Sequence, residues 1–145
     1  MKTLKFYLIL LFLASNICLY ADGPTATLQH SGELSVYFGQ DAFQKAYSDA
    51  EAGDTITLSP GTFTYLSSDM EKSLTITGTY GMHPDSVNRT YIPQISVKAD
   101  DVKIEGICIQ DLRLRTISNC IVKRCRIYYL IANSTSEKHT NTHTD

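Results

Sequence analysis

The sequence of 145 residues predicts an all-β chain wound as a parallel β-helix of about four coils, entered through one short helix. Three observations carry this. Short β-type runs with paired apolar positions recur along the second half of the chain. One segment alone has the apolar spacing of a helix. The intervals between runs are too full of short β segments to hold crossover helices, and the Asn-Gly dipeptide that marks tight hairpins is absent.

The first 21 residues stand outside this fold. Lys2 and Lys5, the apolar run 6–14 and the small Ala21 have the order of a secretory signal peptide, which predicts cleavage near Ala21 and a secreted product: extracellular, periplasmic or on the cell surface. The run is shorter than the roughly 20 residues of a spanning helix, and no later stretch could cross a membrane. Without Lys2 and Lys5, 11 basic residues face 15 acidic ones, a net charge of −4 that gives the whole chain no nucleic-acid footprint. Cys18 follows Asn16-Ile17, a poor context for lipidation, and belongs to the discarded segment. Three cysteines remain, Cys108, Cys120 and Cys125; an odd number argues against a closed disulfide framework and for small buried apolar residues.

Residues 22–33 lack an apolar period and are expected to form an irregular leader. Leu34-Ser35-Val36-Tyr37-Phe38 predicts a short strand closed by Gly39. Over residues 40–52, Ala42, Phe43, Ala46, Tyr47 and Ala50 share one helical face, with Asp41 near the positive end of the helix dipole and Gly53 as the stop. So short a helix is unstable alone and must lie on something. It is expected to cover the open end of the first coil, edge and core together.

The coils occupy the rest of residues 34–132. The apolar pairs Ile56/Leu58, Leu74/Ile76, Val102/Ile104 and Cys120/Val122 begin 18, 28 and 18 residues apart, a repeat interrupted by about ten extra residues between Thr79 and Tyr91. Ile107 and Ile109 recur as Cys125 and Ile127 at the same interval of 18, with Gly106 and Arg124 at the bends. One coil cannot bury such a column of side chains, but stacked neighbours can. Residues 133–145 form a polar tail.

The run Ala46-Tyr47-Ser48-Asp49-Ala50-Glu51-Ala52-Gly53-Asp54-Thr55-Ile56-Thr57-Leu58-Ser59-Pro60-Gly61-Thr62-Phe63 resembles the N-terminal entry of pectin-lyase-like proteins. There an amphipathic cap helix leads into a Gly-Asp-Thr-Ile strand and a Pro-Gly-Thr-aromatic turn. The resemblance covers about residues 36–127. It implies a right-handed, single-stranded parallel β-helix with an N-terminal α-helical cap. It implies either the front part of a polysaccharide lyase or hydrolase, or a non-catalytic surface or carbohydrate-binding protein, since the fold hosts both. Members of the family usually have more coils, with catalytic residues further along. The chain is therefore expected to be the N-terminal part of a longer protein without a complete active site of its own, against a compact protein whose tail or partner shields the last coil.

A uronate lyase needs a cation, or Ca²⁺ as the resemblance alone implies, to neutralise the substrate carboxylate, together with a base and an acid. Arg113, Arg115, Lys123, Arg124 and Arg126 are the candidate cations for a polysaccharide or cell-surface glycan, because no carboxylate lies between Leu112 and Ser136. The plainer reading makes them solvated outward residues of strands. Asp100-Asp101 suits a turn better than a calcium site. Glu105 and Asp111 could both face outward for hydrolase chemistry, though no spacing singles them out. His83 is a lone loop residue, and His139 and His143 lie four apart in a segment that disfavours a helix. Outward Thr57, Thr75, Thr77, Lys103 and Glu105, with Tyr80, Tyr91, Tyr128 and Tyr129, could form a glycan-binding groove.

Overall fold

The computed structural model describes residues 23–80 and 88–133. The chain runs through strand β1 (Thr25–His30), β2 (Glu33–Phe38), helix α1 (Ala42–Asp49), β3 (Thr55–Leu58), β4 (Gly61–Thr62), β5 (Thr75–Thr77), β6 (Thr90–Val97), β7 (Lys103–Glu105), β8 (Cys108–Arg115), β9 (Ile121–Lys123) and β10 (Arg126–Asn133). A six-stranded sheet has the order β2-β1-β3-β5-β7-β9, and a four-stranded sheet the order β10-β8-β6-β4. Every pairing from β3 onward is parallel, so the chain is a β-solenoid of about four turns.

The stack follows from alternation within each strand. Ile56, Ile76, Ile104 and Val122 stand above one another through the β3–β5–β7–β9 register. Ile92, Ile109 and Ile127 form a second column, and Ile95, Leu112 and Leu130 a third. All but the last-coil members of these columns are buried, and each such side chain contributes about 1.5–3 kcal/mol. In the four-stranded sheet two outward residues separate successive inward ones (Pro93 and Gln94, Gln110 and Asp111, Tyr128 and Tyr129). That breaks the period of two and turns each strand through a corner.

The register differs from the expected one in its first step. Ile56 pairs with Ile76, not Leu74, an interval of 20 residues rather than 18. A slip of two residues keeps every side chain on its own face, so apolar alternation cannot detect it. The later steps, Ile76 to Ile104 and Ile104 to Val122, have the expected register. The extra chain falls between β5 and β6 as expected, though residues 81–87 lie outside the described ones.

The start of the chain departs further. Residues 25–30, expected as irregular leader, form β1, which pairs antiparallel with both β2 and β3 and buries Ala26 and Leu28. The hairpin turns on Ser31 and Gly32, both at positive φ (49° and 87°), the backbone of a tight two-residue turn. The edge of the first coil is thus covered by a hairpin. Helix α1, shorter than its predicted span, seals the core beneath it with Ala42, Phe43, Ala46 and Tyr47. Asp41 stands at its start without capping through its side chain and pairs instead with Lys45 at 3.0 Å.

Both predicted bends fall at left-handed backbone: Gly106 at φ +66° and Arg124 at φ +50°. Gly78 occupies the same corner one coil earlier. A Cβ on Gly78 would lie 2.6 Å from the Gly106 carbonyl oxygen, so the close approach of successive coils there requires glycine. The three cysteines are free thiols. Cys108 is buried, while Cys120 and Cys125 pack half-buried at the last coil, where burial pushes their thiols up.

Candidate functional site

The outer face of the six-stranded sheet carries two straight rows. One runs Gln29–Thr55–Thr75–Lys103–Ile121, the other Thr27–Thr57–Thr77–Glu105–Lys123. Strand geometry sets neighbouring members about 4.8 Å apart along a row and the rows about 6.7 Å apart. Beyond Thr27 and Gln29 the face ends in Val36 and Leu34 of β2, both exposed. Toward the last coil it opens into a shallow pocket of about 170 Å³ lined by Thr75, Lys103, Ile104, Glu105, Ile121 and Lys123. Glu105 is held by Arg124 from the adjacent corner. Lys103 and Lys123 form no ion pair among the described residues.

The five predicted cations do not form one patch. Arg113 and Arg115 lie on β8 of the four-stranded sheet, Lys123 on β9 of the other, Arg124 at the corner between them, and Arg126 at the start of β10. Nor are the two arginines of β8 unopposed once folded. Asp111 Oδ2 accepts from Arg113 Nε at 3.1 Å and Nη2 at 2.7 Å, which holds that guanidinium more firmly protonated. Arg115 Nη1 lies 3.6 Å from Asp69 Oδ2. Arg126 sits over the Tyr80 ring, 5.8 Å from its centroid. Winding brings Asp69 beside Arg115 and Glu105 beside Arg124 from other coils, which linear sequence cannot show, whereas Asp111 faces Arg113 from two residues earlier on the same strand. Of the five, Lys123 alone lines the pocket.

Asp69 reaches the four-stranded sheet because Met70 bridges to Val97. Ser96 stands between Asp69 and Arg113 in the register; among the described residues its buried Oγ has no hydrogen-bond partner, and neither has the buried Asp111 Oδ1. Asp69 and Ser96 carried no sequence signal of this role. Glu105 and Asp111 stand on different sheets. Asp101 (φ +56°) and Asn119 (φ +55°) take left-handed backbone in successive coils, with Asn119 Nδ2 donating to Asp101 Oδ1 at 3.2 Å, so Asp100-Asp101 is a turn. Among the described residues no three His, Cys, Asp or Glu side chains converge. His83, His139 and His143 lie outside the described residues.

The tyrosines are spread. Tyr91 donates to Gln110 Oε1 at 2.6 Å and lies under Arg89. Tyr128 and Tyr129 are exposed on β10. The hydroxyl rows were half-legible: Thr-x-Thr recurs at 55–57 and 75–77, but Thr27 and Gln29, which extend the rows, sit in the segment read as leader.

No family model, curated protein or solved structure matches this chain. Among the described residues no helix is long and apolar enough to cross a membrane.

Proposed function

We propose that this is an exported, non-catalytic carbohydrate-binding β-helix of the pectin-lyase-like kind, which holds an acidic glycan on the outer face of its six-stranded sheet. One observation carries the reading: Lys103 and Lys123 flank the 170 Å³ pocket without ion pairs among the described residues, at the end of two rows of threonine hydroxyls. Hydroxyls both donate and accept, as sugar hydroxyls require, and ammonium groups bind a uronate carboxylate or sulfate through charge-assisted hydrogen bonds. The flat surface suits an extended chain lying across several coils. The N-terminal signal segment and the resemblance at residues 46–63 support the location and the ligand class.

Binding of labelled polygalacturonate, alginate and chondroitin sulfate, with neutral dextran as the control, tests this. The acidic chains should bind, dextran should not, and Lys103→Ala/Lys123→Ala should lose at least tenfold in affinity, about 1.4 kcal/mol. Equal retention of all four, or a double variant that binds as well as the parent, would refute the site.

A catalytic reading draws on a different place. Asp69 and Asp111 approach the arginine pair of β8, and Asp111 Oδ1 has no partner among the described residues. Paired carboxylates beside cations are the raw material of glycosidic cleavage. Production of unsaturated uronate or of reducing ends from those polymers, abolished by Asp111→Asn, supports this reading; silence across all three removes it.

A further inference from the structure

We infer that two copies of this chain associate tail to tail through β10, pairing antiparallel about the corner between Tyr128 and Tyr129. Among the described residues β10 is the outermost strand of its sheet, no strand pairs with its outer edge, and its large side chains are exposed: Tyr128 54%, Tyr129 64%, Leu130 58% and Ile131 47%. Eight residues of unpaired backbone beside such side chains form a template for another strand. The interface already present on the other edge of β10, with β8, shows what this strand pairs with: an equally long strand that bends at the same place.

A second copy of β10 meets that requirement in reverse. The inward and outward positions read the same in both directions about the corner. Ile127 and Leu130 continue the inner columns of Ile109 and Leu112, and Tyr128 and Tyr129 point outward between them. Antiparallel pairing centred there sets Ile127 beside Leu130 of the other copy, Tyr128 beside Tyr129, and Arg126 beside Ile131. Inward then meets inward and outward meets outward, which a slip of one residue would destroy. The twofold axis is radial to the coil, so the two cores join end to end across an isologous seam. The two Arg126 side chains end up about 17 Å apart, five residues at about 3.4 Å each. That exceeds the screening length at physiological salt.

Sedimentation equilibrium of the full chain, with light scattering on an eluting column, tests the pairing. A dimer is expected that persists as salt is raised, because the contacts are apolar and main-chain. Leu130→Asp should weaken it at least tenfold while the far-ultraviolet circular dichroism stays that of the parent. Should that variant misfold, Tyr128→Cys/Tyr129→Cys gives a second readout: oxidation should yield a covalent dimer joined at those positions, identified by peptide mapping. A parent chain that is monomeric at about 100 µM, near the weak end of specific association, overturns the inference. So does a dimer indifferent to Leu130→Asp in a folded variant, or a double-cysteine variant that gives no crosslink.

Discussion

His30 Nδ1 lies 3.0 Å from each carboxylate oxygen of Asp54, joining the last residue of β1 to the residue that precedes β3. The pair fastens the cap hairpin to the first coil. The hydrogen bond that His30 donates to Asp54, and then the carboxylate's charge, raise the His30 pKa above 6.5. Burial alone would raise Asp54, but the Glu51 N–H at 2.7 Å and the His30 proton outweigh it and leave the carboxyl below 3.8.

The pH dependence follows from both directions. The raised His30 value stabilises fully below its unfolded pKa and is lost as pH rises through the folded one. The lowered Asp54 value stabilises above its unfolded pKa and is lost as pH falls through the folded one. The ion pair therefore contributes most between about pH 4 and 6.5. Thermal melts of the parent and His30→Gln should differ there and draw together as pH rises through the folded His30 pKa; a difference that stays constant with pH would show that the charge on His30 is irrelevant.

Lys72 closes the end of the helix. Its Nζ donates to the carbonyl oxygens of Tyr47 (2.9 Å), Ser48 (3.1 Å) and Ala50 (2.7 Å), and it lies 4.9 Å from the centroid of the Tyr47 ring. These are the carbonyls a helix leaves unpaired at its negative end. Lys72→Met keeps most of the stem and should cost about 1–3 kcal/mol in urea unfolding. A cost near zero would mean that water serves these carbonyls equally well.

The corner column of Gly78, Gly106 and Arg124 predicts opposite responses to substitution. Gly78→Ala drives a Cβ into the Gly106 carbonyl, and Gly106→Ala adds a side chain at positive φ whose Cβ would lie 2.7 Å from the Gly78 carbonyl oxygen. Each should destabilise by at least about 1 kcal/mol. Arg124→Gly relieves left-handed strain at the open coil and should be neutral or stabilising by up to about 1 kcal/mol, despite losing the contact with Glu105. Equal losses at all three positions in chemical denaturation would contradict this reading of the corner.

Inner and outer faces should separate cleanly. Ile76→Asp and Ile104→Asp bury a carboxylate without a partner and should unfold the chain, at about 3–5 kcal/mol each. Thr75→Asp places its charge on the outer face beside Lys103 and should melt close to the parent. Circular dichroism melts of the three variants decide the matter.

These positions also show what the sequence could convey. Ile76, Ile104 and Val122 were legible because an aliphatic residue at a constant register in each coil has no other economical explanation. Leu74 was mistaken for the partner of Ile56 because a slip of two residues leaves the faces unchanged. Thr25-Ala26-Thr27-Leu28 is a short alternation whose apolar members include a small alanine, and its Ser31-Gly32 turn lacks the Asn-Gly signature, so β1 was hidden. At the surface, Arg113 and Arg115 looked unopposed because Asp69 is distant in sequence and Asp111 lies just outside the basic stretch. Ser96 could not be identified at all, since its isolation depends on what covers it.

The most direct test of the parallel stack is the pattern of nuclear Overhauser effects between backbone protons of facing strands. Facing Hα atoms come close in antiparallel pairs and stay apart in parallel ones. Strong Hα–Hα effects should join β1 to β2 and to β3, while Ile76 to Ile104 and Ile104 to Val122 should show only amide-to-Hα effects across the strands. Strong Hα–Hα effects between β5 and β7, or between β7 and β9, would contradict the solenoid.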